Sequence, residues 1–270
     1  MKIGIIGLGL IGGSLLKDLT LNSEHELYAV TRSKTTLDKV KSLVTECSDN
    51  ISILSGCEVV FAATPINKTL EILDELETVV NKNCIVLDCA SIKGFTAQKK
   101  RPYKFIGSHP MAGTENNGFD ASFQGLFKGA KWVLTPSVDI SRNDIEKITG
   151  LIGETGAKII VTTPDEHDMA AALISHMPML ISQALFKTAQ NNELAMKLAS
   201  SGFRDMTRLA MSNPEMANDM LQYNGENIKK SLEMLQKSLN YLLGTKYFEK
   251  ITDIKNTRSK MYSDEGKNLL

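Results

Sequence analysis

The chain has no surplus charge of either sign: 31 lysines and arginines stand against 31 aspartates and glutamates in 270 residues, so the formal net charge is zero. Nucleic acid or an anionic membrane surface would call for a basic patch, and with none legible a small molecule is the expected partner. No apolar run is long enough to cross a bilayer, and the first residues enter a strand pattern without the basic region, apolar stretch and cleavage site of a secretory leader. The expected location is cytoplasmic. The cysteines Cys47, Cys57, Cys84 and Cys89 make no CxxC pair and have no histidine at zinc-ligand spacing. They read as reduced thiols in a protein that uses no metal. Internal repeats and low-complexity segments are also missing.

What is present is a rhythm. A chain of this length holds one large domain or two ordinary ones and can bury a substantial core. Up to residue 162, β-rich runs alternate with longer helical patterns, with strands expected at 2–6, 27–30, 59–63, 84–87, 104–106, 132–134 and 158–161. Such alternation predicts βαβ units in a Rossmann-type, doubly wound and mostly parallel sheet. Beyond Val161 the pattern changes. Thr163, Pro164 and Glu166 fit N-cap, N1 and N3 of a capping box, apolar residues recur at helical spacing to Leu185, and Asn213-Pro214 opens a helix expected to reach Leu243. The domains are set at 1–162 and 163–270, the second all-helical. It carries more apolar residues than a helical hairpin needs, and packing against a second copy is a plausible outlet. From Lys250 onward the tail is charged, either a final short helix or a loosely held segment.

The first strand runs into Gly7-Leu8-Gly9-Leu10-Ile11-Gly12, a GxGxxG placed directly before a helical pattern. Gly7 permits a tight turn, Gly9 lets a pyrophosphate approach the backbone, and Gly12 lets helix pack closely on strand, so this unit is expected to bind a dinucleotide. A merely structural glycine turn is the weaker alternative. For NAD, an acid that holds the adenosine ribose should close the second strand about 20 residues further on. The chain instead has Thr31-Arg32-Ser33, with Thr31 19 residues after Gly12. An arginine between two hydroxyls suits a 2′-phosphate, so NADP is preferred over NAD, the plain alternative being a surface arginine. Thr64 and Pro65 follow the third strand in a loop shaped to pass the nicotinamide half.

His109 lies in Gly107-Ser108-His109-Pro110-Met111-Ala112-Gly113, directly after the strand at 104–106 and thus on the ligand-binding edge of such a sheet. It is the first candidate for chemistry, against a histidine that only bonds to nearby backbone. Ser91, in Asp88-Cys89-Ala90-Ser91-Ile92-Lys93, can cap the next helix or offer its hydroxyl to a group reacting near His109. Thr114 and Glu115 are solvated loop residues or a polar rim of the site. His25 sits in a polar turn and carries no expected role. His167 reads as a helix-surface or capping residue, and His176 as a buried, hydrogen-bonded one before a Pro178 that kinks or breaks its helix. Arg204 and Arg208 stand at i and i+4, so a helix brings both guanidinium groups to one face, suited either to a substrate carboxylate or to acids on the surface.

Together these segments, in this order, resemble the prephenate and arogenate dehydrogenases of tyrosine biosynthesis, over residues 1 to about 240. The specific part is SHPMAG (108–113) with GFRDMTR (202–208), supported by 163–168 and by Ser175-His176-Met177-Pro178. The resemblance implies oxidative decarboxylation of a cyclohexadienol: hydride leaves ring C4 for the nicotinamide, His109 takes the C4 hydroxyl proton, and the ring carboxylate departs as carbon dioxide. The product is 4-hydroxyphenylpyruvate from prephenate or tyrosine from arogenate. It further implies that Ser91 orients the histidine, Arg208 grips a substrate carboxylate with Arg204 beside it, Glu115 lies near the pocket mouth, and the helical unit forms a homodimer. Met179 stands where many prephenate-specific members have a second histidine against the substrate side chain. With Thr31-Arg32, this is similar to members that use arogenate with NADP, and both substrates stay open. Outside the family, a β-hydroxyacid-type dehydrogenase would need a lysine in the interdomain helix, where none occurs before Lys187, and a nucleotide sensor would have no use for His109.

Overall fold

The computed structural model describes residues 1–22, 24–114 and 116–263. In chain order these form β1 (Lys2–Ile6), α1 (Leu10–Asn22), β2 (Glu26–Val30), α2 (Lys34–Val40), β3 (Glu46–Ser48), β4 (Val59–Ala62), α3 (Ile66–Val79), β5 (Ile85–Asp88), α4 (Gly94–Ala97), β6 (Lys104–Pro110), β7 (Lys131–Pro136), α5 (Arg142–Gly153) and β8 (Lys158–Val161). The helices α6 (Pro164–Ala171), α7 (Met177–Ala189), α8 (Glu193–Leu198), α9 (Ser201–Thr207), α10 (Pro214–Leu243) and α11 (Tyr247–Met261) follow, with no strand after Val161 among the described residues.

One eight-stranded sheet runs in the order β3-β2-β1-β4-β5-β6-β7-β8. Every neighbouring pair is parallel except β6 with β7. The central strands β1, β4 and β5 are buried almost throughout because both faces of the sheet are covered there. Ile3, Ile5, Val59, Phe61, Ile85 and Leu87 point to the face closed by α1 and α5. The alternate residues Ile6, Val60, Ala62 and Val86 meet Leu73 and Leu76 of α3 on the other. The order reverses between β1 and β4, which opens a crevice at their carboxyl ends.

Two strand expectations need correction. The edge strand β3 escapes a search for apolar runs, since it is three residues long and begins on the exposed Glu46. More consequential is β6, which runs on to Pro110, so His109 is part of a strand rather than of the loop after it. Pairing with the parallel partner β5 stops at Leu87 opposite Ile106, but β7 pairs antiparallel with β6 as far as Pro110 opposite Trp132. An antiparallel ladder on one edge is enough to hold 107–110 extended.

Thr163 does cap α6 with the expected box: its side chain accepts from the Glu166 N–H, and Glu166 reaches back to the Thr163 N–H. Pro178 does not break the helix. A π turn at Ala172–His176 joins α6 to α7, and the widened turn gives the proline ring room beside the preceding carbonyls. The continuous helix Pro164–Ala189 is thereby 26 residues long and contains a stretch long and apolar enough to cross a membrane by length and composition, contrary to the expectation from the sequence. Asn213 caps α10, which runs to Leu243, and the tail from Tyr247 is helical to Met261.

Candidate active site

The crevice between β1 and β4 holds the glycine turn. Gly7 takes φ +86°, open to glycine at little cost, and a Cβ on it would lie 2.6 Å from the Ala63 carbonyl oxygen. A Cβ at Gly12 would lie 2.0 Å from the Gly7 carbonyl oxygen, so α1 can approach the turn only as glycine. At Gly9 a Cβ would meet nothing within 4 Å. The turn is tight where it packs on the chain and open where a ligand would lie. Leu8 is buried and Ile11 packs on the core, so they and Leu10 can offer a ligand their backbone, with α1 beginning at Leu10. The buried Thr64 hydroxyl has no hydrogen-bond partner, as expected of a group awaiting one. These features fit a dinucleotide phosphate.

A cavity of about 850 Å³ continues from the turn, lined by Gly7, Thr31, Arg32, Ser33, Thr64 and Pro65. Ser33 also caps α2, accepting from the Thr36 N–H. Sequence reasoning missed the acids and the second base on this wall: Asp49, Glu71, Glu75 and Lys68. Asp49 arrives from the unforeseen β3, which lies beside β2 and accepts the Thr31 N–H on Ser48 at 3.1 Å. Lys68 pairs with Glu71 at 2.7 Å. The Lys68 bond and, further off, the Arg32 charge lower the Glu71 pKa.

The carboxyl ends of β5 and β6 share this edge of the sheet, and there His109 meets residues of α6. His109 Nδ1 lies 2.9 Å from His167 Nε2, and His167 Nδ1 lies 2.8 Å from Asp168 Oδ1. The Asp168 carboxylate also accepts the Lys93 and Gly94 N–H groups, each at 2.7 Å. A carboxylate only accepts, so a neutral His167 carries its proton on Nδ1 and presents a bare Nε2. His109 must then donate from its own Nδ1, which leaves its Nε2 lone pair free. The carboxylate sets both tautomers, and the outcome is a base. Burial chiefly, and then His167, Lys93 and His176, hold the His109 pKa well below 6.5, so the ring is neutral at neutral pH. His176 is buried as expected, with a pKa lowered to about 4, mainly by burial. Its Nδ1 accepts from Asn224 Nδ2 at 3.1 Å, and the same amide donates to the Asp168 carbonyl at 2.8 Å.

His167 is the residue the sequence misassigned. It is buried and partnered on both nitrogens, where a surface or capping role was expected. Its one local signal is the neighbouring Asp168; the partner His109 is 58 residues away. Ser91 is half-buried and caps no helix, since Lys93 takes the N-cap of α4. Thr114 is exposed and accepts the Asn116 N–H within its own turn. Glu115 lies outside the described residues. Met179 is buried against Ala217, Met220 and Leu209. Arg204 and Arg208 do line one cavity, about 460 Å³ with Phe186, Asp205, Thr207, Ala210 and Met211. Both are exposed, and His109 lines neither this cavity nor the one beside the glycine turn.

A dinucleotide cradle on a doubly wound sheet, joined to a helical unit that supplies part of the site, defines a class of two-part nucleotide-binding proteins. Comparison with known proteins narrows it. Residues 17–161 match the prephenate dehydrogenase nucleotide-binding domain and residues 163–246 the prephenate dehydrogenase dimerization domain, so the chain belongs to the prephenate dehydrogenase family. Prephenate dehydrogenase of Bacillus subtilis (strain 168) is 31% identical over 245 residues, 83% of this chain and 64% of that protein. The chain thus spans less than two thirds of that relative. Synechocystis arogenate dehydrogenase superposes with a TM-score of 0.85 at 34% identity, covering 99% of this chain and 100% of that one. The Aquifex aeolicus prephenate dehydrogenase, solved with hydroxyphenyl propionate and NAD+, does so at 0.85 and 26% identity, covering 97% and 98%.

Proposed function

We propose that the protein oxidatively decarboxylates prephenate or arogenate with a nicotinamide cofactor. The observation that carries this reading is the chain His109–His167–Asp168 on the sheet edge that also bears the glycine turn. Gly7 to Gly12, Thr64 and Pro65 hold the cofactor, whose nicotinamide supplies the hydride acceptor when bound. His109 Nε2 takes the proton of the ring C4 hydroxyl as hydride leaves that carbon. Loss of the ring carboxylate as carbon dioxide then gives the aromatic product. The lowered basicity of His109 keeps it unprotonated and able to accept at neutral pH. Ser91 is the second hydroxyl partner, and Arg208 with Arg204 receives a substrate carboxylate as charge-assisted, bidentate contacts. Thr114 and Glu115 rim the pocket. The units acting in this are 1–162 and 163–270, in a cytoplasmic homodimer.

Within this reading arogenate with NADP is the favoured pairing. Met179 offers no hydrogen bond to a substrate side chain, and Arg32, Ser33 and Lys68 offer a 2′-phosphate two cations and a hydroxyl. The acids on the same wall, Asp49, Glu71 and Glu75, favour NAD instead, as acceptors for ribose hydroxyls.

Following reduced-cofactor formation for prephenate and arogenate, each with NAD and NADP, tests both choices. The arogenate and NADP pair is expected to be fastest. Four background rates would remove the reading altogether. Arg32→Ala should raise the KM for NADP and leave that for NAD alone, and an equal rise for both would remove the preference for the phosphate.

A further inference from the structure

Lys93 is the charged residue the proposed chemistry leaves unused. Its side chain is completely buried, which an ammonium tolerates only with full partners. Lys93 Nζ donates to Asp88 Oδ2 at 2.5 Å and to the Ser108 carbonyl at 2.6 Å. Asp88 Oδ1 accepts the Ser108 N–H at 2.9 Å, and the Ser108 hydroxyl donates to the Asp88 carbonyl at 2.5 Å. The N–H, carbonyl and hydroxyl of Ser108 are therefore all taken by Asp88 and Lys93. The position matters because β5 leaves the ladder at Leu87 opposite Ile106. Past that point the pair substitutes for the missing strand and fixes the residue directly before His109.

The other end of Lys93 closes a circuit. Its backbone N–H donates to Asp168, Asp168 holds His167, and His167 holds His109 Nδ1. We propose that Lys93 is a positioning residue for the reaction: its ammonium sets the strand that carries His109, and its backbone sets the carboxylate that orients His167. One residue thereby fixes both ends of the histidine pair, so that His109 Nε2 faces substrate from a single place. Among the described residues, the charged and titratable groups around His109 are His167 and Asp168 on α6, His176 on the π turn, and Lys93 with Asp88 from the β5–α4 segment.

This inference rests on His109 being the base, so the test has one arm that needs no turnover. Lys93→Met should lower kcat about 10²-fold with KM for substrate and cofactor within twofold, because the base is displaced while both binding sites stand. In protein labelled with 15N-histidine, the His109 ring should titrate at higher pH than in the wild type, and the acid limb of kcat should follow it. The double variant Asp88→Asn with Lys93→Met removes both charges. It should keep the low kcat while the titration returns towards that of the wild type. Lys93→Arg retains the cation and should leave the titration in place with a smaller loss of kcat. Wild-type kcat in Lys93→Met, a lowered kcat with unmoved titration, or full recovery in the double variant would each overturn the proposal. Failure of all three variants to fold would also overturn it, making the pair a requirement of folding alone. If the wild type turns over neither substrate, the functional reading fails while the ring titrations still report on Lys93.

Discussion

At the scale of single residues, the site works through the placement of protons. Asp168 accepts from two backbone N–H groups and from His167, and so dictates which nitrogen of each histidine is bare. His109→Asn should lower kcat by roughly 10²–10⁴-fold, the usual worth of a positioned base, while the cofactor dissociation constant, read by fluorescence titration, stays constant. Unchanged turnover would remove His109 from the chemistry. The pH dependence follows from the sign of the shift. A base held below 6.5 is active when unprotonated, so kcat/KM should stay flat as pH falls through 6.5 and drop only at the lowered value. His167→Phe removes the acceptor for His109 Nδ1–H and a neighbour that opposes its protonation. Its kcat should fall, and its acid limb should move up towards 6.5. A limb that stays in place would mean that His167 acts on position alone.

At the scale of elements, the glycine turn separates packing from binding. Gly12→Ala puts a methyl 2.0 Å from the Gly7 carbonyl oxygen, and α1 must shift to admit it. Overpacking of that kind costs about 1–3 kcal/mol, so both Tm and cofactor affinity should fall. Gly9→Ala meets only open space. Its Tm should hold while cofactor affinity drops, and equal Tm losses in the two variants would contradict this division. Such a turn is legible in sequence because its demands are local: strand, glycine spacing, helix. The central strands are legible for a related reason, as burial on both faces writes an unbroken apolar run. The pairing of His109 with His167 is not local. It joins β6 to α6 across the seam of the two units, and the residues around His167, Pro164-Asp165-Glu166-His167-Asp168, look like the solvated first turn of a capped helix. Asp49 was hidden in the same way, since its strand borrows its place from β2 rather than from any apolar pattern of its own.

At the scale of the whole molecule, the helical unit leaves much apolar surface uncovered. Ile174, Leu194, Leu198, Met206 and Met211 are exposed, Met211 to 89%, more large apolar side chains than a surface without a partner needs to show. Residues 163–246 match the family's dimerization domain, and a second copy is the cover proposed for these side chains and for the largely unburied apolar helix Pro164–Ala189. His167, Asp168 and His176 sit on that same helical run with their partners inside the chain. The double substitution Met206→Glu and Met211→Glu adds two charges beside the arginine cavity without touching the sheet. Sedimentation velocity should show a dimer for the wild type and a monomer for the variant. Cofactor affinity should be unchanged, because its cradle lies wholly in the segment from β1 to α3. Turnover should nevertheless collapse, since Arg208 lies exposed on the very surface that dimerisation would order. A monomeric variant with full kcat would show that one chain is a complete catalyst, and a variant that remains dimeric would place the interface elsewhere on the helical unit.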